Sequence, residues 1–135
     1  MGYVLLVEDN QATADMVIRV MNSAGLEVRH FTRALEGAKM ARQERPAIIL
    51  MDFNLPDIDG RTMVLILRKQ LGGPTAPPVV AVTARTGEAE EYLARSFGCD
   101  AFVNKPFIPE DLLKLVQELI QRDGVKLASG MKSNP

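Results

Sequence analysis

The chain has 135 residues, a hydrophobic content of 47%, 24% charged residues and a formal charge of -1. That is about one soluble globular domain, without the basic excess of a nucleic-acid surface. The single cysteine, Cys99, excludes an internal disulfide and points to a reducing cytosol, and no apolar run approaches the roughly 20 residues of a membrane span.

Tyr3 to Val7 is a continuous apolar run, the pattern of a strand covered on both faces, and it ends at Glu8-Asp9. Asn10 can cap a helix from about Gln11 that carries Ala14, Val17, Ile18, Met21 and Ala24 on one face and stops at Gly25. Glu27 to Phe31 alternates polar and apolar, as an edge strand does. Thr32 or Arg33 then opens a second helix with Leu35, Ala38 and Ala41 inward, ending near Glu44 and Pro46.

Ala47 to Asp52 is the third strand, an apolar run that closes on a carboxylate, and Phe53 to Gly60 reads as loop from its Asn, Pro, Asp and Gly content. A helix from about Arg61 to Leu71 is expected to bury Val64, Leu65, Leu67 and Leu71. Gly72 to Pro77 forms a turn, and Pro78 to Thr83 a fourth buried strand. Thr86-Gly87-Glu88 leads into a helix with Ala89, Tyr92, Leu93 and Phe97 on one side, closed by Gly98. Ala101 to Asn104 is a fifth strand, ending at Lys105-Pro106. Pro109 opens a last helix with a stripe of Leu112, Leu113, Val116, Leu119 and Ile120. Residues 1–122 thus read as one domain, and residues 123–135 as a mobile tail or linker remnant.

Five strands alternating with five helices, the central strands apolar throughout, imply a parallel sheet wrapped on both faces by right-handed crossovers. In such sheets the ligand site lies beyond the C-terminal strand ends, where strand order reverses. The polar residues there are Glu8, Asp9, Asp52, Thr83 and Lys105. Three carboxylates so close disfavour one another's ionisation, and a hard divalent cation relieves this. Magnesium suits oxygen donors, with Asp9 and Asp52 as direct ligands; the absence of a Cys-His cluster excludes zinc. The Thr83 hydroxyl and Lys105 ammonium would then complement a phosphoryl group moving onto Asp52.

The segments Val4 to Asn10, Met51 to Gly60, Val82-Thr83-Ala84 and Asn104 to Phe107 resemble the motif set of response-regulator receiver domains of the single-domain chemotaxis-like type, over about residues 2 to 122. The resemblance implies a flavodoxin-like (βα)5 doubly wound α/β fold with strand order 2-1-3-4-5. Asp52 would be the phosphoacceptor, Glu8 and Asp9 the acidic pair holding Mg2+, and the Asn54 backbone carbonyl a further metal ligand. Thr83, with Ala84 beside it, would be the switch hydroxyl, Lys105 the phosphate-binding lysine, Pro106 the partner in a cis bond, and Phe102 the aromatic switch. Leu55 replaces a methionine common in the family, and Phe102 lacks the hydroxyl of the more usual tyrosine. The positions two beyond Asp52 and Thr83, Asn54 and Arg85, tune the phosphoryl lifetime in the family.

The implied activity is that of a phosphorylation-dependent switch rather than an enzyme acting on another substrate. A sensor histidine kinase or histidine phosphotransfer protein would supply the phosphoryl group. A downstream protein, or a second copy, would dock on the face of the fourth helix, fifth strand and fifth helix, where some of Tyr92, Phe102, Phe107 and Ile108 should be exposed. Arg95 and Glu91 are expected either to pair across such a dimer or to be solvated. Neither nucleic acid nor membrane is an expected partner, and the expected compartment is the cytoplasm.

Two other classes fit worse. An aspartate-nucleophile phosphatase needs a second carboxylate where Asn54 stands, and a flavodoxin needs a phosphate-cradling first loop where Glu8-Asp9 would repel phosphate. The alternative to a stand-alone receiver is one excised from a larger hybrid histidine kinase or transcription regulator. His30 is read as a surface or structural residue away from the acidic cluster, Cys99 as a small hydrophobe, the methionines at 16, 21, 40 and 63 as core, and Asp57 and Asp59 as loop residues.

Overall fold

The computed structural model describes residues 2–73, 76–84 and 87–129. Strands β1 (Val4–Val7), β2 (Val28–Phe31), β3 (Ile48–Met51), β4 (Val79–Thr83) and β5 (Ala101–Asn104) alternate with helices α1 (Gln11–Ser23), α2 (Ala34–Gln43), α3 (Gly60–Gln70), α4 (Glu88–Ser96) and α5 (Pro109–Ser129). The strands pair in parallel in the order β2-β1-β3-β4-β5, as the resemblance implies.

The apolar runs explain the layering. Successive side chains of a strand point to opposite faces, so a run that is apolar at every position feeds two cores. Leu5, Val7, Ile49, Met51, Val79 and Ala81 pack with residues of α2, α3 and α4. Val4, Leu6, Ile48, Leu50, Val80 and Val82 pack with α1 and α5. Every residue of β1, β3 and β4 is buried, whereas the edge strand β2 is half-buried along its length.

Several expected core positions lie outside the core. Ala24 is exposed at the C-cap of α1, and Leu35 and Leu65 are exposed, their places inside taken by Ala34 and Gly37 of α2 and by Met63 of α3. In α4 the buried residue is Ala94, while Ala89 and Tyr92 face outward. Small residues are favoured on the inner face of α2 because this helix lies close to the sheet: a Cβ on Gly37 would come within 2.9 Å of Val7. Met21 and Met63 are core, and Met16 and Met40 are half-buried.

Asn10 caps α1 as expected, its side chain accepting from Thr13 N at 2.9 Å. The helical backbone of α5 continues through Ser129, past the expected end at residue 122. Residues 130–135, Pro74, Thr75, Arg85 and Thr86 lie outside the described residues. Among the described residues no helix is long and apolar enough to cross a membrane.

Candidate functional site

Strand order reverses between β1 and β3, and the residues directly after these strands are Glu8 and Asp52. The ladder carries both into place: Glu8 N donates to Phe31 O at 3.0 Å and Asp52 N to Val7 O at 3.1 Å. Because β1 and β3 are central strands, the two carboxylates are delivered almost out of solvent, Glu8 at 1% and Asp52 at 5% exposure, while Asp9 is exposed. Carboxylate oxygens of Glu8, Asp9 and Asp52 all lie within 4.8 Å of one another. Such an all-oxygen, acidic donor set fits a hard cation such as magnesium and no soft one.

Lys105 is the compensating charge. Its Nζ lies 2.8 Å from Glu8 Oε1 and 2.9 Å from Asp52 Oδ2, so one ammonium bridges the two buried carboxylates. It reaches them because β5 ends beside β4, where Lys105 N donates to Thr83 O at 2.9 Å; the Lys105-Pro106 peptide is cis, as the resemblance implies. Burial pushes the Glu8 carboxyl above its usual range, with the Lys105 ammonium acting against the rise. Burial also opposes the charge on Lys105, but the hydrogen bonds it donates to Glu8 and Asp52 outweigh this and hold the ammonium charged.

The loop after β3 is organised around Asp52. Asn54 N donates to Asp52 Oδ1 at 3.0 Å, and Asn54 forms an isolated antiparallel bridge with Asp59. The start of α3 then folds back over Phe53: Gly60 N donates to Phe53 O at 3.0 Å, and a Cβ on Gly60 would fall 2.5 Å from Phe53 Cα and 2.9 Å from Asp52 O. Only glycine permits that approach. Thr83 is fully buried at the end of β4 and Ala84 after it is exposed. Phe102 is half-buried and meets Phe53 edge-on, ring centres 6.4 Å apart at 73°. The residue next to Asp52 therefore touches the expected aromatic switch. Arg85 lies outside the described residues.

The fold thus brings Glu8, Asp9, Asp52, Asn54, Thr83 and Lys105 to one edge. On the expected output face Tyr92 is 72% and Ile108 60% exposed, while Phe102 and Phe107 are half-buried. Arg95 and Glu91 pair within α4 at 3.0 Å, one turn apart, which is the nearest partner helical spacing offers.

Two residues have more to do than the sequence suggested. Asp57 accepts from Ala34 N and Leu35 N, both at 2.9 Å, and so caps α2 from across the chain; burial raises its carboxyl, but these backbone donors outweigh that and hold it below the usual carboxylate range. His30 is not remote from the acidic cluster, since its Nε2 lies 2.7 Å from Glu8 O. Neither contact has a local signal, because each joins residues more than 20 apart in sequence. Asp59 does act locally, capping α3 through Arg61 N at 2.8 Å.

Residues 4–117 match the response regulator receiver domain. The chain is 35% identical to the transcriptional regulatory protein CreB of Escherichia coli over 119 residues, 88% of this chain and 51% of CreB. It is 33% identical to the polar-differentiation response regulator DivK of Brucella anthropi over 76% of this chain and 83% of DivK. The receiver domain of the Pseudomonas aeruginosa sensor histidine kinase PA1611, solved with a magnesium ion in its active-site cleft, superposes with a TM-score of 0.79 at 28% identity, covering 89% of this chain and 98% of that one. This chain spans about half the length of CreB and most of DivK. With strand order, acidic cluster and family match in agreement, the chain belongs to the response-regulator receiver domains of two-component signalling.

Proposed function

We propose that this receiver accepts a phosphoryl group from a phosphohistidine, on a sensor histidine kinase or a histidine phosphotransfer protein, onto Asp52 in a magnesium-dependent step. The observation that carries the reading is the cluster of three carboxylates within 4.8 Å, two of them bridged by the Lys105 ammonium. Asp52 is nearly buried at the end of the central strand β3 and is held by the loop that follows it through Asn54 N.

In the step, the P–N bond to the donor imidazole breaks as a P–O bond to an Asp52 carboxylate oxygen forms. The bonding pair returns to the ring nitrogen. Glu8, Asp9, Asp52 and the Asn54 carbonyl would hold Mg2+, which when bound neutralises charge on the phosphoryl oxygens. Lys105, already 2.9 Å from Asp52, meets the added negative charge without first moving in. Thr83, at the end of the adjacent strand, is drawn toward the phosphoryl oxygens, and Phe102 fills the space this frees. Such a response is a population shift between two packings. Pro106 fixes the turn from which Lys105 projects. Water later takes the phosphoryl group from Asp52, so the chain promotes its own phosphorylation and dephosphorylation and acts as a switch.

The readout surface in this proposal is the α4-β5-α5 face, where exposed Tyr92 and Ile108 offer apolar contact to a target protein or a second copy. The reading concerns residues 4–117, and applies equally to a free receiver and to one that drives a larger protein. Incubation with a small acyl-phosphate donor and magnesium tests it. The parent should gain the mass of one phosphoryl group and Asp52→Asn should not; equal gain in both, or none in the parent, refutes it.

A further inference from the structure

Glu8 is held at every polar group it has. Its N–H donates to Phe31 O, its Oε2 accepts from Asn10 N at 3.1 Å, its Oε1 meets Lys105, and its carbonyl lies 2.7 Å from His30 Nε2. The first three contacts are what a strand end, a tight turn and a charged site provide. The fourth comes from a side chain on the neighbouring strand.

A carbonyl oxygen only accepts, so Nε2 of His30 carries the hydrogen. Strand pairing between β1 and β2 ends at Val7 opposite Phe31, after which the chain turns away toward α2. His30, paired with Leu6, reaches forward along the sheet and extends the β1 edge with an imidazole where backbone pairing ends. The Glu8 carbonyl belongs to the same planar peptide unit as the Asp9 N–H. Gripping that carbonyl therefore fixes the plane from which Asp9 departs, and Asp9 is the exposed member of the acidic cluster.

We infer that His30 is a positioning residue for the metal site: by donating to the Glu8 carbonyl it sets the angle at which Asp9 is presented to the cation. The inference rests on the magnesium reading above. It requires no change in His30 protonation, since the Nε2–H form suffices.

Magnesium chloride titrations of the full chain, followed by amide NMR shifts at Asp9 and Asn10 and paired with thermal midpoints, test it in two variants. His30→Leu keeps bulk and loses the donor; His30→Gln keeps an amide N–H at similar reach. Partners beyond the ligands themselves typically change metal affinity by 10–100-fold, and a contact to backbone belongs at the low end, so His30→Leu should weaken magnesium about tenfold while His30→Gln stays within about twofold of the parent. Parent affinity in His30→Leu, or equal weakening in both variants, overturns the role of His30 alone. A parent chain that binds no magnesium, or binds it unchanged as Asp9→Asn, overturns the magnesium reading and this inference with it.

Discussion

The two ends of the sheet use charge in opposite ways. At the N-terminal edge, arginines saturate carbonyls and pair with carboxylates that keep contact with water. Arg68 donates to Gly98 O, to Pro77 O at 3.2 Å and to Asp100 Oδ2 at 2.6 Å, and Asp100 in turn accepts from Val79 N at 2.8 Å. Arg29 stacks over the Tyr3 ring at 4.1 Å and pairs with Glu27 and Glu44, and the Tyr3 hydroxyl donates to Glu44 O at 2.6 Å. At the C-terminal edge, two carboxylates are buried beside a third, and one lysine serves two of them. The lower edge ties loops to strands with two arginines shared among three carboxylates that stay in contact with water. The upper edge holds more negative charge than its own cation neutralises, and its buried oxygen donors fit a hard cation.

Four substitutions separate the two ends, and the largest effect belongs to Gly60→Ala. The added Cβ meets backbone at 2.5 Å, which no side-chain rotation relieves. Overpacking of this kind typically costs about 3 kcal/mol, so denaturant unfolding should show that loss together with slower phosphorylation of Asp52. Lys105→Met comes next. Stripping the cation from buried carboxylates should cost on the order of 2 kcal/mol, a loss that shrinks when Asp52→Asn is added and when magnesium is supplied. A loss unaffected by either would mean that the upper edge is no more electrostatically strained than the lower.

Arg68→Met probes the lower edge. Several hydrogen bonds vanish there, with an expected destabilisation of about 1–2 kcal/mol, yet acyl-phosphate labelling of Asp52 should be unchanged once the protein is folded. The smallest effect belongs to Asp57→Ala, which removes the α2 cap at about 1 kcal/mol. Its sign with pH is fixed: the folded-state carboxyl is held below the usual range, so the difference between parent and variant is full at neutral pH and disappears as acid titrates the folded carboxyl. Urea midpoints at neutral and strongly acidic pH check this.

Much of the upper edge was legible because its residues obey a local rule: each directly follows an apolar run, and parallel sheets collect such positions on one side. Asp52, Glu8 and Thr83 follow from that pattern together with the depth of the central strands. Lys105 follows as a residue, but its double contact does not, because reaching both carboxylates depends on β5 lying beside β4. Leu35 lies outside, against the expectation from spacing, for a related reason. Helical spacing defines a stripe, and which flank of it faces inward depends on how closely the helix approaches the sheet.

The amino-acid sequence by itself determined the alternation of elements, the parallel sheet and the set of polar groups at its C-terminal edge, since periodicity and strand-end chemistry are local properties. Its motifs also identified the family. Only the tertiary structure decided that Asp57 caps a distant helix, that Gly60 presses on the backbone of Asp52 and that His30 grips the Glu8 carbonyl. These contacts join residues whose separation along the chain carries no period, and they exist because the parallel sheet gathers its strand ends and the loops that follow them at one edge.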